Sequence, residues 1–385
     1  MRTLKYIFPL LLSGLLLGGC IKENTPAVKT SGKQTVRGVW LTNVDSDVLK
    51  SKQNIIDAVE LCHKNGINSI FVVVWNKAVT MYPSDVMEKE FGIRIDTAYT
   101  GRDPLKELIE EAHKKDIKVF AWFEFGFSSS FKADGGHLLK KKPEWMSKDV
   151  NGKLTTKNGF EWMNAFHPDV QNFMIALFKE VVTNYKVDGV QGDDRLPALP
   201  SEGGYDDFTV NMYKAEHNGA APPADSKDSA WVQWRADKLT DFLGRLHKEV
   251  KAIRKDIIVS MSPSIYPWSK EEYLQDWPKW IEKGYVDLMV PQFYRYNIAD
   301  YEKAIHEAVN NYVPAGFKNR FYPGVLLKVG KYHPEEELLL DMIKVNREHG
   351  LEGEVYFFYE GMKKYGDLFS KKIYNDKAVF PNLTR

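Results

Sequence analysis

The sequence predicts an α/β protein, a (β/α)8 TIM barrel with long loops after strands two, three and four. Short apolar runs typical of buried strands alternate with amphipathic runs at helical spacing, which is the pattern of parallel βαβ units. The eight strand-like runs lie at residues 36–42, 69–75, 118–124, 187–193, 257–262, 287–293, 322–328 and 353–359. The helical patterns between them lie at residues 52–65, 103–115, 168–185, 230–254, 271–283, 300–311 and 334–349.

Proline and glycine mark the predicted helix ends. Pro104 and Pro168 occupy first helical positions, where the missing N–H is not needed. Glycines close three helices before the next strand: Gly66, Gly284 and Gly350. A doubly wound sheet is the alternative, but it usually has a glycine-rich phosphate turn after its first strand, and residues 42–45 contain no glycine.

Two of the connections are much longer than ordinary loops. The loop after strand three spans roughly residues 126–166, and the loop after strand four spans roughly residues 195–229. Loops that follow barrel strands lie over the catalytic face and build substrate subsites. We therefore expect both loops to contribute to a binding site.

The amino terminus predicts a secreted, membrane-anchored protein. Arg2 and Lys5 precede an apolar run at 7–17, which is too short to span a bilayer and ends in small residues before Cys20. We predict a lipoprotein signal peptide at 1–19, a lipidated Cys20 with a flexible tether at 20–35, and a folded domain at 36–385. The expected location is the bacterial cell envelope, at the outer membrane. The alternative is an ordinary cleaved signal, in which Cys20 has no role.

Composition excludes several classes of partner. The 53 basic and 52 acidic residues balance, so no nucleic-acid partner is expected. Cys62 falls at core spacing in a predicted helix and leaves no second thiol for an internal disulfide. The nine histidines show no zinc-binding spacing, and Asp193-Asp194 lacks a calcium-loop pattern. We predict a monomer without cofactor or metal.

The predicted strand ends carry polar and aromatic side chains. In a parallel barrel the C-terminal strand ends share one face, where active sites lie. Aromatic rings stack on sugar rings, and carboxylates and amides bond to hydroxyl groups, so this face predicts a carbohydrate site. The candidate binding residues are Trp40, Asn43, Asp45, Trp75, Lys77, Asn164, His167, Arg195, Gln292, Tyr294 and Lys328.

Some of these residues have an alternative role in the structure. Asp45 and Lys328 are equally compatible with placement on the protein surface. Aromatic residues can fill the core instead of binding substrate. We assign Trp75 and Tyr294 to the site and Trp122, in the middle of a strand, to the core.

Glycoside hydrolysis commonly needs one carboxylic acid and one carboxylate. Alternation along strand four points Gln191 and Asp193 the same way. In related barrels the corresponding position faces the lumen, which makes Asp193 the nucleophile or base. Asp194 would then point aside to orient a loop or hold Arg195, although a curved strand end would exchange the two. Glu124 is the predicted acid, because neighbouring aromatic residues would keep it protonated. Glu360, after strand eight, is the rival acid or a partner of a loop amide.

Several motifs together carry a resemblance to a known family. They are Arg37-Gly38-Val39-Trp40-Leu41-Thr42, Tyr82-Pro83-Ser84, Asp103-Pro104-Leu105, Ala121-Trp122-Phe123-Glu124, His167-Pro168-Asp169-Val170 after Asn164, and Val187-Asp188-Gly189 leading to Asp193-Asp194. In this order the chain resembles the bacterial glycosyl-hydrolase-like family 10, from residue 36 to about residue 360. The resemblance implies a glycosidase barrel with Asp at the end of strand four, and members that cleave peptidoglycan glycan strands.

Two features depart from the family pattern. Arg195-Leu196-Pro197 follows the aspartate pair where many members have aromatic residues, and strand five ends without the glutamate that is the acid in better known relatives. We therefore predict a glycoside hydrolase of peptidoglycan glycan strands whose acid lies on another strand. The alternatives are a hydrolase of another polysaccharide, dietary, capsular or storage, and a non-catalytic carbohydrate-binding lipoprotein.

Overall fold

The computed structural model describes residues 32–383. The predicted signal peptide, Cys20 and the first part of the predicted tether lie outside the described residues. Eight parallel strands form the central sheet: Arg37–Leu41, Ser69–Val73, Lys118–Trp122, Gly189–Gly192, Ile258–Met261, Leu288–Met289, Gly324–Leu326 and Glu354–Phe357. We number these barrel strands one to eight.

The sheet closes into a barrel. Each strand pairs in parallel with its neighbour in the chain, and strand eight pairs with strand one. Parallel bridges from Met289 to Phe321 and from Gln292 to Gly324 join strands six and seven. The predicted (β/α)8 fold is therefore confirmed. Strand six is shorter than predicted, because Pro291 has no N–H to donate to the ladder.

Helices surround the barrel and occupy its long loops. The α-helices are Lys52–Lys64, Asp85–Phe91, Pro104–His113, Gly136–Lys141, Pro168–Asn184, Asp207–Glu216, Ser229–Ile253, Trp268–Tyr273, Trp277–Glu282, Ile298–Asn311, Glu336–Glu348 and Tyr359–Met362. One predicted helix, 271–283, is wrong as a single element. It divides at Leu274, which has a positive φ of 61°, and resumes with Pro278 in its first turn. In residues 32–383 no helix has the length and apolar character of a membrane span.

The folded body begins slightly before the predicted boundary at residue 36. Lys33–Gln34 forms a short parallel strand with Ala378–Val379, and Thr35 is buried. These residues precede strand one, so the two ends of the described chain lie together at the end of the barrel opposite the C-terminal strand ends. The predicted tether, which extended to residue 35, therefore ends earlier.

Small additional strands lie in the loops after barrel strands two and three. Trp75–Asn76 and Val79–Thr80 form a hairpin after strand two. Ser128–Phe131, Phe160–Trp162 and Thr156–Lys157 form a three-stranded antiparallel sheet in the loop after strand three, which we call the loop-three sheet. The loops after strands two and three therefore contain regular secondary structure next to the strand ends.

Candidate active site

Three carboxylates meet one guanidinium at the ends of strands three and four. Arg195 Nη2 lies 3.2 Å from Asp193 Oδ2 and 3.7 Å from Glu124 Oε1, and its Nη1 lies 3.2 Å from Asp194 Oδ1. Three carboxylates that contact one planar cation must lie within a few ångströms of one another. The structure thus brings together Glu124, Asp193, Asp194 and Arg195, which we call the carboxylate cluster.

Two close backbone approaches hold the cluster in place. Gly126 has a positive φ, and a Cβ there would lie 2.1 Å from the Arg195 carbonyl oxygen, which accepts the Phe127 N–H at 2.9 Å. A Cβ on Gly192 would lie 2.4 Å from the Leu196 carbonyl oxygen. Only glycine permits these approaches. The first approach packs the chain after strand four against the chain after strand three, and the second turns the chain after strand four back over the end of its own strand.

Asp193 is the most buried member of the cluster. Its side chain is 2% exposed and accepts hydrogen bonds from Trp122 Nε1 at 3.1 Å, from the Arg195 backbone N–H at 3.0 Å and from Arg195 Nη2 at 3.2 Å. Burial raises its pKa well above the ordinary value; Arg195 opposes this, and the charges of Asp194 and Glu124 add to it. Trp122 is therefore a direct partner of the cluster and not only core filling.

Glu124 is held by neutral donors that follow strands one and two. Asn76 Nδ2 donates to Glu124 Oε2 at 3.0 Å, and Thr42 Oγ1 donates to the same oxygen at 3.4 Å. Asn76 Nδ2 also donates to Asn43 Oδ1 at 2.9 Å, so Asn43 is connected to the cluster through Asn76. Asn76 and Thr42 were not among the predicted site residues, although both lie at strand ends.

The pKa of Glu124 is displaced toward neutrality. Burial raises this pKa from 4.5 to about 7, and the charge of Asp194 adds to the effect, whereas Arg195, the Thr42 hydroxyl and Lys77 lower it. The side chain remains 17% exposed, so solvent reaches it. A carboxyl group with this pKa is divided between its acid and its base form near pH 7.

Asp194 is the most exposed carboxylate of the cluster, and Tyr294 is a phenol that the charges of the cluster influence. The Asp194 side chain is 26% exposed, more than the other two carboxylates, and pairs with Arg195. Burial raises the pKa of Tyr294 well above its usual range, and the negative charges of Asp194, Asp193 and Glu124 raise it further. Tyr294, a predicted site residue, is therefore a neutral phenol whose pKa is influenced by the charges of all three carboxylates.

The floor of the site is a buried hydrogen-bond chain. Trp40 Nε1 donates to Gln191 Oε1 at 2.7 Å, and Gln191 Nε2 donates to Ser260 Oγ at 2.9 Å. Trp40 is buried, with its ring centroid 6.4 Å from that of Trp122. The structure therefore places Trp40 beneath the site, where it shapes the floor, and not on an open sugar-stacking surface.

Three predicted binding residues lie away from the cluster. Trp75 is fully buried, donates to the Gly126 carbonyl at 3.0 Å and packs edge-on against Phe173, 5.8 Å away, so its ring is core and unavailable to a substrate. Asn164 is buried and donates to Asp206 at 2.7 Å. His167 caps the helix Pro168–Asn184 by accepting the Asp169 N–H. Their contacts are structural.

Glu360 lies in a separate polar pocket. It accepts a hydrogen bond from Ser46 Oγ at 2.8 Å and pairs with Lys363. The pocket has a volume of about 380 Å³ and is lined by Asn43, Asp45, Ser46, Asp47, Lys50, Glu360 and Lys363. The structure thus favours a role for Glu360 as a hydrogen-bond partner of its neighbours over a role as the acid. The exposed Asp45 lines the same pocket. Asn43 lines this pocket and also bonds to Asn76 beside the cluster.

The remaining predicted residues lie at the rim. Lys77 is exposed on the turn of the hairpin after strand two. Lys328 donates to the Gly330 carbonyl and lies 5.4 Å from the centre of the Phe358 ring. Gln292 is partly exposed and donates to the Ser262 carbonyl at 3.0 Å. Within residues 32–383 no group of three or more His, Cys, Asp or Glu is arranged as metal ligands, and a metal-free site stays a prediction.

Fold and site together define a class of protein. A closed (β/α)8 barrel with carboxylates at the C-terminal ends of strands three and four has the architecture of glycoside hydrolases. The chain matches the family "Glycosyl hydrolase-like 10" over residues 35–318, and it belongs to that family.

Curated relatives carry the same class name. The chain is 25% identical over 315 residues to "Glycosyl hydrolase DigH" of Escherichia coli strain K12, covering 70% of this chain and 67% of that protein. It is 22% identical over 424 residues to "Glycosyl hydrolase YngK" of Bacillus subtilis strain 168, covering 97% of this chain and 78% of that protein. These relatives agree with the family assignment.

Solved structures share the fold at low identity. The glycoside hydrolase domain of PgaB (BpsB) from Bordetella bronchiseptica matches with a TM-score of 0.64 and 15% identity, over 87% of this chain and 98% of that chain. The catalytic domain of β-amylase from Paenibacillus polymyxa matches with a TM-score of 0.58 and 11% identity, over 86% of this chain and 94% of that chain. Both support the barrel fold.

Proposed function

We propose that this protein hydrolyses glycosidic bonds in peptidoglycan glycan strands, anchored in the cell envelope through a lipid on Cys20. The observation that carries the hydrolase proposal is the carboxylate cluster, because it supplies both an acid and a second carboxylate within one small volume. Support for the substrate and location comes from the family motifs and from the Leu17-Gly18-Gly19-Cys20 pattern.

Glu124 is the proposed acid. With a pKa of about 7 a substantial fraction of the group is protonated near pH 7 and can give the proton to the leaving glycosidic oxygen. Asn76 and Thr42 both donate to Oε2, which fixes the plane of the carboxyl group. Oε1 is then the oxygen that carries the proton toward the substrate.

The aspartate pair supplies the second carboxylate. Alternation along strand four predicted Asp193 for this role, but Asp193 is nearly inaccessible and its oxygens already accept three hydrogen bonds. Asp194 is more exposed and pairs with Arg195. We therefore propose that Asp194 attacks the anomeric carbon or activates water, while Asp193 orients Arg195. This proposal exchanges the two roles that alternation along strand four indicates.

The test measures release of reducing ends and product masses from three materials: intact sacculi, amidase-stripped glycan strands and a panel of neutral polysaccharides. The purified protein is compared with Glu124→Gln, Asp194→Asn and Asp193→Asn, and with Glu337→Gln, a matched change at an exposed helical site. We expect products from stripped strands, lost in Glu124→Gln and Asp194→Asn and kept in Glu337→Gln.

Other outcomes would reassign the function. Products from neutral polysaccharides alone would contradict the peptidoglycan substrate and retain the hydrolase. Glycan binding without any product would favour the non-catalytic barrel. Azide rescue of Asp193→Gly but not of Asp194→Gly, with a glycosyl azide of inverted anomeric configuration as the product, would return the nucleophile to Asp193, because azide then attacks the anomeric carbon in place of the missing carboxylate.

A further inference from the structure

We propose that Phe131 and Phe160 form a platform that binds a sugar ring of the glycan at a position away from the cleaved bond. The inference rests on the proposed function for the identity of the ligand, and it adds the requirement for a polymeric substrate. The two residues belong to the loop-three sheet, which follows barrel strand three.

The two rings share one face of this sheet. Phe131 and Phe160 are directly opposed in the antiparallel pair of Ser128–Phe131 with Phe160–Trp162, and directly opposed side chains point to the same face. Their ring centroids are 5.1 Å apart at an interplanar angle of 65°. Phe131 is 46% exposed, which makes it one of the few large apolar side chains left open to solvent in residues 32–383.

The platform borders the carboxylate cluster directly. The Phe160 ring lies 4.7 Å from Cζ of Arg195, the guanidinium that contacts all three carboxylates. Phe160 also packs against Phe125, 5.8 Å away, next to Glu124 in the chain. The exposed Phe131 ring is thus separated from the cluster by one aromatic ring, a separation suited to a neighbouring sugar and not to the reacting one.

The exposed ring is held in place. Glu161, which follows Phe160, accepts the N–H groups of Ala133 and Asp134 at 3.1 Å and of Gly135 at 3.0 Å. These bonds fix the turn that follows Phe131. A solvent-exposed phenyl group on a fixed support binds without a large loss of conformational entropy.

The chemistry of this face suits a sugar. A phenyl ring offers only its apolar surface, which matches the C–H face of a pyranose ring. Lys157 is directly opposite Phe160 on the same face and is paired with Glu202 and Glu272, so polar groups flank the apolar ring. Lys132 lies 5.3 Å from the Phe131 ring centre. An exposed phenyl face with flanking ammonium and carboxylate groups recognises a hydroxylated ring.

The experiment compares the parent protein with Phe131→Ala and Phe208→Ala. Phe208 is another exposed phenylalanine, 38% exposed, whose ring packs on His167. The probes are amidase-stripped glycan strands separated into fractions of increasing length. We expect Phe131→Ala to raise KM roughly two- to tenfold for long fractions, from the loss of one stacking contact, and to leave the shortest cleaved fraction unchanged. Phe208→Ala should resemble the parent protein.

A binding measurement separates this proposal from the proposed function. In the Glu124→Gln background, retention of long strands by affinity electrophoresis should fall when Phe131 is also truncated. If retention depends on Phe131 and the parent protein itself releases no reducing ends, the platform is supported and the hydrolase is overturned. Hydrolysis by Phe131→Ala with the parent KM for every fraction would overturn the platform and retain the hydrolase. A Glu124→Gln protein that retains no fraction, together with a parent protein that releases no reducing ends, would overturn both.

Discussion

Glu124→Gln should abolish hydrolysis and stabilise the fold above neutral pH. The folded-state pKa of Glu124 is raised from 4.5 to about 7, so the folded protein resists deprotonation over that interval. Stability from this group is full below pH 4.5 and is lost as the pH rises to about 7. At about 1.4 kcal/mol per unit of pKa, the ionised group costs about 3 kcal/mol above pH 7. Glutamine resembles the protonated form and avoids that cost.

The assay is urea unfolding of the parent, Glu124→Gln and Glu337→Gln proteins at pH 5 and pH 8.5. We expect the Glu124→Gln protein to match the parent within about 1 kcal/mol at the lower pH and to exceed it by about 3 kcal/mol at the higher pH. Glu337→Gln should show no such trend. Loss of the proton donor should lower reducing-end release by at least about a hundredfold. Equal stability of parent and Glu124→Gln at both pH values would refute the raised pKa.

Three further changes test other parts of the site. Burial raises the pKa of Glu124 and the charge of Arg195 lowers it, so Arg195→Gln should raise this pKa further. The alkaline limb of the kcat/KM profile, measured on the residual activity of the variant, should therefore move to higher pH. An alkaline limb at the parent position would contradict this. Trp75→Ala should lower the free energy of unfolding by about 3–5 kcal/mol, as expected for a buried tryptophan, without changing the KM for glycan; a raised KM would restore the predicted substrate contact. Glu360→Gln should retain activity within about twofold, since its carboxylate bonds to Ser46 and Lys363; a loss above about tenfold would make it the acid.

The barrel was predictable because its strands are short, buried on both faces and separated by amphipathic helices. All eight strands lie inside the predicted ranges, and each is two to five residues shorter than its range. The predicted helix at 271–283 failed because periodicity is insensitive to a single left-handed residue such as Leu274. The loop-three sheet was not predicted, because its strands are too short for a clear alternation.

The site was predictable where strand geometry continues and unpredictable where it stops. Glu124 and the aspartate pair follow directly on barrel strands, so their meeting follows from the fold. After Val73 the chain leaves the barrel and forms a hairpin, and alternation no longer indicates direction. This is why Trp75 turns into the core while Asn76, its neighbour, reaches Glu124.

Pairs of polar residues near helix starts were ambiguous for a different reason. The His167-Pro168-Asp169 sequence fits a substrate ligand and a helix cap equally well, and the structure uses His167 as the cap. Asn164 supports the same turn by accepting the Phe166 N–H at 2.9 Å. Capping contacts of this kind depend on local backbone geometry that the residue types alone do not specify.

The pairing of Lys33–Gln34 with Ala378–Val379 has a practical consequence for handling this protein. Both ends of the described chain emerge side by side on the face away from the carboxylates. A resin, an electrode or a fluorescent partner protein attached at either end would leave the opening free for a long polymer. Oriented coupling through the termini should therefore preserve access for insoluble material, whereas random coupling through surface lysines would block some molecules.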